Sequence, residues 1–111
     1  MSDNITELSS EKRKFVHLTG VYACNFVNHM YAISQEILEK ENIPFDLILP
    51  LIDETARKVH SLKPKEAQTG PAVRYDTNVI DKHLSLLKSE RQKEIYKLIS
   101  EDIFEFNKKD K

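Results

Sequence analysis

A chain of 111 residues, 40% of them apolar and 32% charged, has the composition of one globular domain and can bury roughly two thirds of its unfolded surface. The formal net charge of −1 gives no electrostatic reason to expect nucleic acid or an anionic membrane as a partner. No stretch near Met1 has the basic, apolar and small-residue order of a secretion signal, and the single cysteine, Cys24, lies in an apolar run where a small buried thiol is commonplace, so we expect a cytoplasmic protein.

The spacing of apolar residues is helical rather than alternating along the whole chain, and it predicts an all-α fold, a helical bundle with one long first helix. This helix is expected to begin near Ser9 or Ser10, either of which can cap it. It should run to about Glu41 and end at Asn42 and Pro44.

The first helix is apolar over most of its circumference, since fifteen of the twenty-four residues from Phe15 to Leu38 are apolar. At about 100° per residue its polar residues fall within roughly 120° of one another. This polar stripe consists of His17, Asn25, Asn28, His29, Gln35 and Glu36. A stripe through the middle of the segment excludes a transmembrane helix, and the apolar remainder indicates that another subunit or a missing domain covers it.

A second helix is predicted to have Pro44 in its first turn, to be kinked or restarted at Pro50 and to reach about Leu62. Its core-facing residues should be Leu47, Ile48, Leu51, Ile52 and Val59. Pro64 then opens a short helical turn before a loop over residues 68–75.

Two more helices follow the loop. Asp76 or Thr77 is expected to cap a helix that continues through Leu87, and Ser89 with Gln92 forms a capping box for the last one. The last helix carries apolar residues at steps of three and four positions, namely Ile95, Leu98, Ile99, Ile103 and Phe104.

The loop is the most informative segment for function. Gly70 can adopt a positive φ and Pro71 fixes its own φ, so the backbone is held in one shape and offers free amides. Arg74 carries a planar fork of donors that suits a carboxylate or a phosphate. A plain connector between helices could carry the same Gly-Pro pair.

Several blocks together resemble one family. They are His17 to His29, Pro50 to Thr55, and Gln68 to Asp76 followed by His83 and Leu84. In this order and spacing they are similar to the helical C-terminal domain of unknown function 2520, which lies behind a Rossmann-like domain in proteins assigned as NADP-dependent oxidoreductases. These proteins are relatives of 6-phosphogluconate dehydrogenase and pyrroline-carboxylate reductase. The resemblance covers about Lys12 to Ile103, and many members have glycine where this chain has Tyr75.

The resemblance implies a fold like the C-terminal domain of 6-phosphogluconate dehydrogenase, in a two-domain enzyme. A Rossmann-like N-terminal domain would hold NADP, while the helical half closes the site of a small anionic substrate and forms a homodimer. The only glycines here, Gly20 and Gly70, cannot make the dinucleotide-binding fingerprint, so we expect no cofactor on this chain. We expect an excised or naturally split C-terminal domain, with a lead-in at residues 1–11, the helical domain at 12–107 and a tail at 108–111.

In such a two-domain enzyme the substrate would contact the loop and the polar stripe. Arg74 would bind an anion, assisted by Thr69 and the amides after Gly70, while Asp76 caps its helix and orients Arg74. Asn25 can donate and accept hydrogen bonds. The candidates for proton transfer are His29 and, as its rival, His83. A lone histidine on a half-apolar helix is more commonly a structural hydrogen-bonding residue.

No other chemistry is indicated. The four histidines have neither a His-x-x-x-His nor a Cys-His pair at ligand spacing, so we predict no metal site. The alternative to half of an oxidoreductase is a homodimeric helical interaction module, in which the loop is only a connector. The sequence names neither the substrate nor the direction of the reaction.

Overall fold

The computed structural model describes residues 9–108, and this part of the chain is all-α, a helical bundle with one long first helix and no strand. The fold class predicted from the sequence is confirmed. Contacts between Cα atoms divide the chain into two compact units, Met1–Ile52 and Asp53–Lys111. None of the described helices combines the length and the apolar character needed to cross a membrane.

The first unit is built on one long helical segment with a defined start and end. Helix α1, Ser10–Gly20, is capped by Ser9, whose Oγ accepts from the backbone N–H of Lys12 at 3.3 Å. A π-helix, Val21–Phe26, continues it, and helix α2, Val27–Lys40, completes it. The segment therefore extends for roughly 46 Å at 1.5 Å per residue. Both predicted boundaries are correct to within one residue.

The end of α2 shows why the chain turns where it does. Asn42 has a φ of 57°, in the left-handed region that asparagine tolerates better than most residues. Its N–H bonds to Glu39 O at 3.1 Å, and the N–H of Ile43 bonds to Leu38 O at 2.9 Å. These two bonds form a Schellman motif, which satisfies carbonyls that the helix end would otherwise leave unpaired.

The π-helix changes the helical wheel drawn from the sequence. In a π-helix the backbone N–H of residue i+5 bonds to the carbonyl of residue i, so the turn contains about one residue more than in an α-helix. The side chains after Phe26 are therefore rotated about the helix axis by roughly 100° relative to those before Val21. Asn28, His29, Gln35 and Glu36 keep their mutual spacing within α2, and the rotation changes the position of all four relative to His17 by the same angle. A uniform 100° per residue does not hold through the π-helix, but with the rotation included His17 still lies within roughly 120° of the polar residues of α2, so the single stripe stays a prediction.

The predicted second helix is two elements. Pro44 caps a 3-10 helix, Phe45–Ile48, and helix α3, Leu49–Lys58, starts one residue before Pro50. A proline in the first turn removes no hydrogen bond, so the restart predicted at Pro50 is confirmed. The helix ends four residues earlier than predicted, in the turn that follows Lys58.

In the second unit every predicted cap lies where expected. Helix α4, Pro64–Ala67, is a single turn, in which Glu66 Oε1 accepts from the N–H of Lys63 at 3.3 Å. Helix α5, Thr77–Leu86, is capped by Asp76. Helix α6, Glu90–Lys108, begins after Ser89, whose Oγ accepts from the N–H of Gln92 at 3.2 Å.

Burial differs from the expectation of a filled core. Among the described residues only Ala72 and Ile80 are buried. Three residues predicted to face the core are at least half exposed, namely Leu47, Leu51 and Val59, and Leu98 of α6 is 69% exposed. Cys24 is exposed as well, so its predicted burial is wrong. The helices present apolar faces that the described chain does not cover.

Candidate functional site

The loop between α4 and α5 is a fixed turn, as its sequence predicts. Gly70 has a φ of 106°, a conformation that strains any residue with a Cβ. The N–H of Asp76 bonds to Pro71 O at 2.9 Å, and that of Tyr75 bonds to Ala72 O at 3.1 Å. Ala72, in the middle of the turn, is only 6% exposed.

Arg74 lies on the outside of this turn, beside the carboxylate that caps α5. One oxygen of Asp76, Oδ1, accepts from the N–H of Val79 at 3.3 Å, which fixes the cap. The other, Oδ2, is 3.7 Å from a terminal nitrogen of Arg74. At that distance the two opposite charges attract each other, but the separation is too long for a hydrogen bond. The side chain of Arg74 is 67% exposed, so its donors remain available to an anion.

Helix α6 supports the loop at both of its ends. Before the loop, Lys65 Nζ lies 4.9 Å from the centre of the Phe106 ring. After it, the rings of Tyr75 and Phe104 are 5.0 Å apart. Two open clefts flank these contacts, of about 210 Å³ beside Phe106 and about 370 Å³ beside Phe104. Carboxylates line the second cleft, so it does not suit an anion.

These clefts are lined mostly by the residues of α6. The smaller contains Pro64, Lys65, Gln68, Asp102, Ile103, Phe106 and Asn107. The larger contains Tyr75, Glu101, Phe104 and Glu105.

His83 lies on α5, the helix that Asp76 caps, and its partner is on α6. Its Nδ1 is 2.7 Å from the hydroxyl of Tyr96, and the two rings meet edge to face with centres 5.8 Å apart. Burial raises the pKa of the Tyr96 phenol, so this phenol is protonated at neutral pH. His83 itself is exposed.

The candidate residues of the first unit lie on the long helical segment. Asn25 falls within the π-helix and His29 in the first turn of α2, and both are exposed. A third open cleft, of about 320 Å³, lies between α2 and the segment that follows Pro44. It is lined by Asn28, Tyr31, Ala32, Gln35, Phe45, Leu49 and Ile52, and neither candidate is among these residues.

The structure brings some of the candidates together within the second unit. Asp76 contacts Arg74 and starts the helix that carries His83, while Thr69 and Gly70 precede them in the same turn. Thr69 is exposed, and its carbonyl accepts from the side-chain amide of Gln68 at 3.0 Å. Asn25 and His29 belong to the first unit.

The described residues do not fit a resident metal or dinucleotide. No group of three or more His, Cys, Asp and Glu between residues 9 and 108 could hold a metal ion. Gly20 lies inside a continuous helical segment and Gly70 in a turn between two helices, so neither belongs to the strand, glycine turn and helix that grip a pyrophosphate. No catalytic step can therefore be derived through NADP on this chain.

The family described as "Domain of unknown function (DUF2520)" matches residues 1–103. The chain belongs to this family. The resemblance recognised from the sequence blocks is thus confirmed. The DUF2520 chain is also similar to a crystal structure described as "putative NADP oxidoreductase BF3122 from Bacteroides fragilis", with 57% identity and a TM-score of 0.85. The match covers 88% of this chain but only 38% of the Bacteroides fragilis chain. No curated protein matches this DUF2520 chain.

Two features of the site were missed from the sequence of this DUF2520 chain. One is Tyr96, which lies thirteen residues after His83. The connection between α5 and α6 is short, and a helical hairpin pairs positions on either side of such a turn, so the register could have suggested this contact. The other is the π-helix around Asn25. Short π-helical turns occur frequently at functional sites, but no sequence pattern predicted this one.

Proposed function

We propose that this DUF2520 chain is the substrate-binding and dimerisation half of an NADP-dependent oxidoreductase, with a Rossmann-like half N-terminal to it in the full-length enzyme. The similarity to the Bacteroides fragilis protein carries the proposal. Identity is 57%, yet the match leaves most of that longer chain uncovered. NADP would be held entirely by the other half, because residues 9–108 have no segment that suits a pyrophosphate.

The exposed apolar side chains support a role that needs partners. Monomeric proteins seldom leave large apolar patches open to water, and such surfaces mark sites of association. On the long helical segment alone, Phe15, Tyr22 and Phe26 are 65%, 64% and 50% exposed. A second copy of this chain and the Rossmann-like half are the two partners that the proposed function supplies.

The turn that carries Arg74 supports a small anionic substrate. Arg74 presents a permanent positive charge and a fork of donors from a backbone held by Gly70 and Pro71. The ion pair with Asp76 is too long for a hydrogen bond, so it can orient the guanidinium and still leave the N–H donors of Arg74 for a ligand. Thr69 and the amides that follow it would add neutral hydrogen bonds to the same ligand.

The proton that accompanies reduction would pass through a histidine. His29 and His83 are both exposed, and an imidazole can accept and donate a proton through its ring nitrogens. Asn25, one helical turn before His29, would hold a polar group of the substrate. We place the complete enzyme in the cytoplasm, where its exposed Cys24 would stay reduced.

The test uses the full-length enzyme. It is screened with NADPH against small keto acids, imines and hydroxy acids, and the Arg74→Ala variant is then measured on the best substrate. Loss of a charged hydrogen-bonding contact of about 1.5–3 kcal/mol should raise KM by about tenfold to a hundredfold. Arg57→Ala removes an exposed arginine of α3 and should leave KM unchanged.

Two results would contradict the proposal in different ways. An unchanged KM in Arg74→Ala would show that the turn does not bind substrate. The absence of both an upstream nucleotide-binding domain and NADPH-dependent activity would favour the stand-alone homodimeric interaction module.

A further inference from the structure

Among the candidate site residues, His83 has the best-defined partner. Its Nδ1 and the Tyr96 hydroxyl are 2.7 Å apart, a short distance for a hydrogen bond. The edge-to-face contact of the two rings, at 81° between their planes, holds the pair in this arrangement. One of the two ring nitrogens of His83 is therefore occupied by Tyr96.

The direction of this hydrogen bond follows from the chemistry of the two groups. A phenol is a good donor, whereas its oxygen is a poor acceptor because one lone pair is delocalised into the ring. A neutral imidazole offers one nitrogen as an acceptor. No other hydrogen-bond partner of the Tyr96 hydroxyl exists among residues 9–108, so Nδ1 is the one protein acceptor that these residues offer to its proton. Burial favours the protonated phenol as well.

We propose that Tyr96 is a positioning residue that fixes neutral His83 in the Nε2–H tautomer, so that His83 offers a ligand a hydrogen-bond donor and not a base. His83 is exposed, which leaves Nε2 accessible from outside the hairpin of α5 and α6. The ligand atom that it recognises must then be an acceptor, such as a carbonyl or carboxylate oxygen. The inference rests on the proposed function only in placing His83 near a substrate.

This assignment divides the roles of the two candidate histidines. A neutral His83 whose Nδ1 accepts from Tyr96 has no free lone pair with which to remove a proton from a substrate. The side chain of His29 is exposed, and its ring makes no hydrogen bond to another described residue. Proton acceptance therefore falls to His29, while His83 polarises or orients the acceptor atom.

The tautomer can be measured directly in the 111-residue chain. Two-bond correlations between ring protons and ¹⁵N nuclei are recorded at about pH 9, where a histidine with an ordinary pKa is neutral. His60 is exposed and serves as an internal reference in the same unit. We expect the ratio of Nε2–H to Nδ1–H in His83 to exceed that in His60 by about fivefold or more, as a hydrogen bond of ordinary net strength would produce.

Tyr96→Phe keeps the ring contact and removes the hydroxyl, so the His83 ratio should fall to that of His60. Tyr75→Phe is the matched control, since Tyr75 packs on Phe104 and should leave His83 unchanged. A wild-type His83 that is mainly Nδ1–H, or as mixed as His60, would overturn the inference without any variant. So would a ratio that Tyr96→Phe does not alter. An unchanged KM in Arg74→Ala, or the absence of NADPH-dependent activity, would contradict the proposed function but leave this result standing.

Discussion

At the scale of single residues, Tyr75 combines an unfavourable backbone conformation with a favourable ring contact. Its φ of 51° lies in the left-handed region, where glycine is at ease and a residue with a Cβ is strained by roughly 1–2 kcal/mol. This is the position where many relatives are expected to have glycine. The ring contact with Phe104 offsets the strain, since aromatic pairs contribute about 0.5–1.5 kcal/mol beyond the burial of their area. The side chain and the backbone of Tyr75 therefore act in opposite directions on stability.

This opposition gives a prediction. Tyr75→Gly and Tyr75→Ala both lose the ring, but only the alanine retains the strain, so the glycine variant should be the more stable by about 1 kcal/mol. The free energies of unfolding are compared by denaturation in urea. Lys82 is exposed in the middle of α5, and the same two substitutions there should show the ordinary order, with alanine the more stable. If the alanine variant were the more stable one at residue 75 as well, the backbone of Tyr75 would not be strained.

At the scale of elements, the sequence predicted what depends on a few neighbouring residues. The caps at Ser9, Asp76 and Ser89 were correct because each is a hydrogen bond between a side chain and a backbone N–H three residues later. The restart at Pro50 was correct because proline lacks an N–H. Interactions of this kind involve residues within one helical turn of each other, so the sequence alone predicts them.

Two features were not predicted from the sequence, and they have different causes. The π-helix at Val21–Phe26 adds a residue to one turn, and the regular spacing of apolar residues around it conceals that change. The contact between His83 and Tyr96 depends on how two helices pair across a turn. The turn with Arg74 was therefore predicted from the sequence, whereas the contact of His83 with Tyr96 was not, although the short α5–α6 connection could have suggested it.

The two glycines provide a prediction at this scale. Gly20 has helical φ and ψ, and a Cβ added there would meet nothing within 4 Å, so Gly20→Ala should stabilise the protein by about 0.5–1 kcal/mol. Gly70 has a φ of 106°, so Gly70→Ala should destabilise it by at least about 1 kcal/mol. Each substitution is the control for the other in a single series of urea titrations. Equal effects of the two would show that the turn is not held in its unusual conformation.

At the scale of the whole molecule, exposure is the feature that sequence reasoning could least predict. The apolar periodicity of α6 was read correctly, yet Leu98 and Ile99 are 69% and 43% exposed. A periodic pattern shows which face of a helix is apolar but not whether the same chain covers that face. The structure leaves this face of α6 open to solvent, as it does the apolar residues Phe15, Tyr22 and Phe26 of the long helical segment.

The exposed face of the long helical segment leads to a prediction about assembly. Burying Tyr22 and Phe26 in a homodimer should contribute about 1.5–3 kcal/mol for each side chain, so the chain should form a dimer of twice its 12.9 kDa in sedimentation equilibrium. Its midpoint of thermal unfolding should then rise with protein concentration. Phe26→Glu removes one contact from each of the two copies, about 4 kcal/mol in total, and should weaken the dimer by roughly a thousandfold.

Lys12→Glu introduces the same side chain at an exposed position of α1 that is already polar, and it should leave the mass and the concentration dependence unchanged. A wild-type chain that sediments as a monomer at every concentration, with a constant unfolding midpoint, would show that this face is not a homodimer interface. The Rossmann-like half would then be the partner left to cover it, and its association could be measured with the same Phe26→Glu and Lys12→Glu pair.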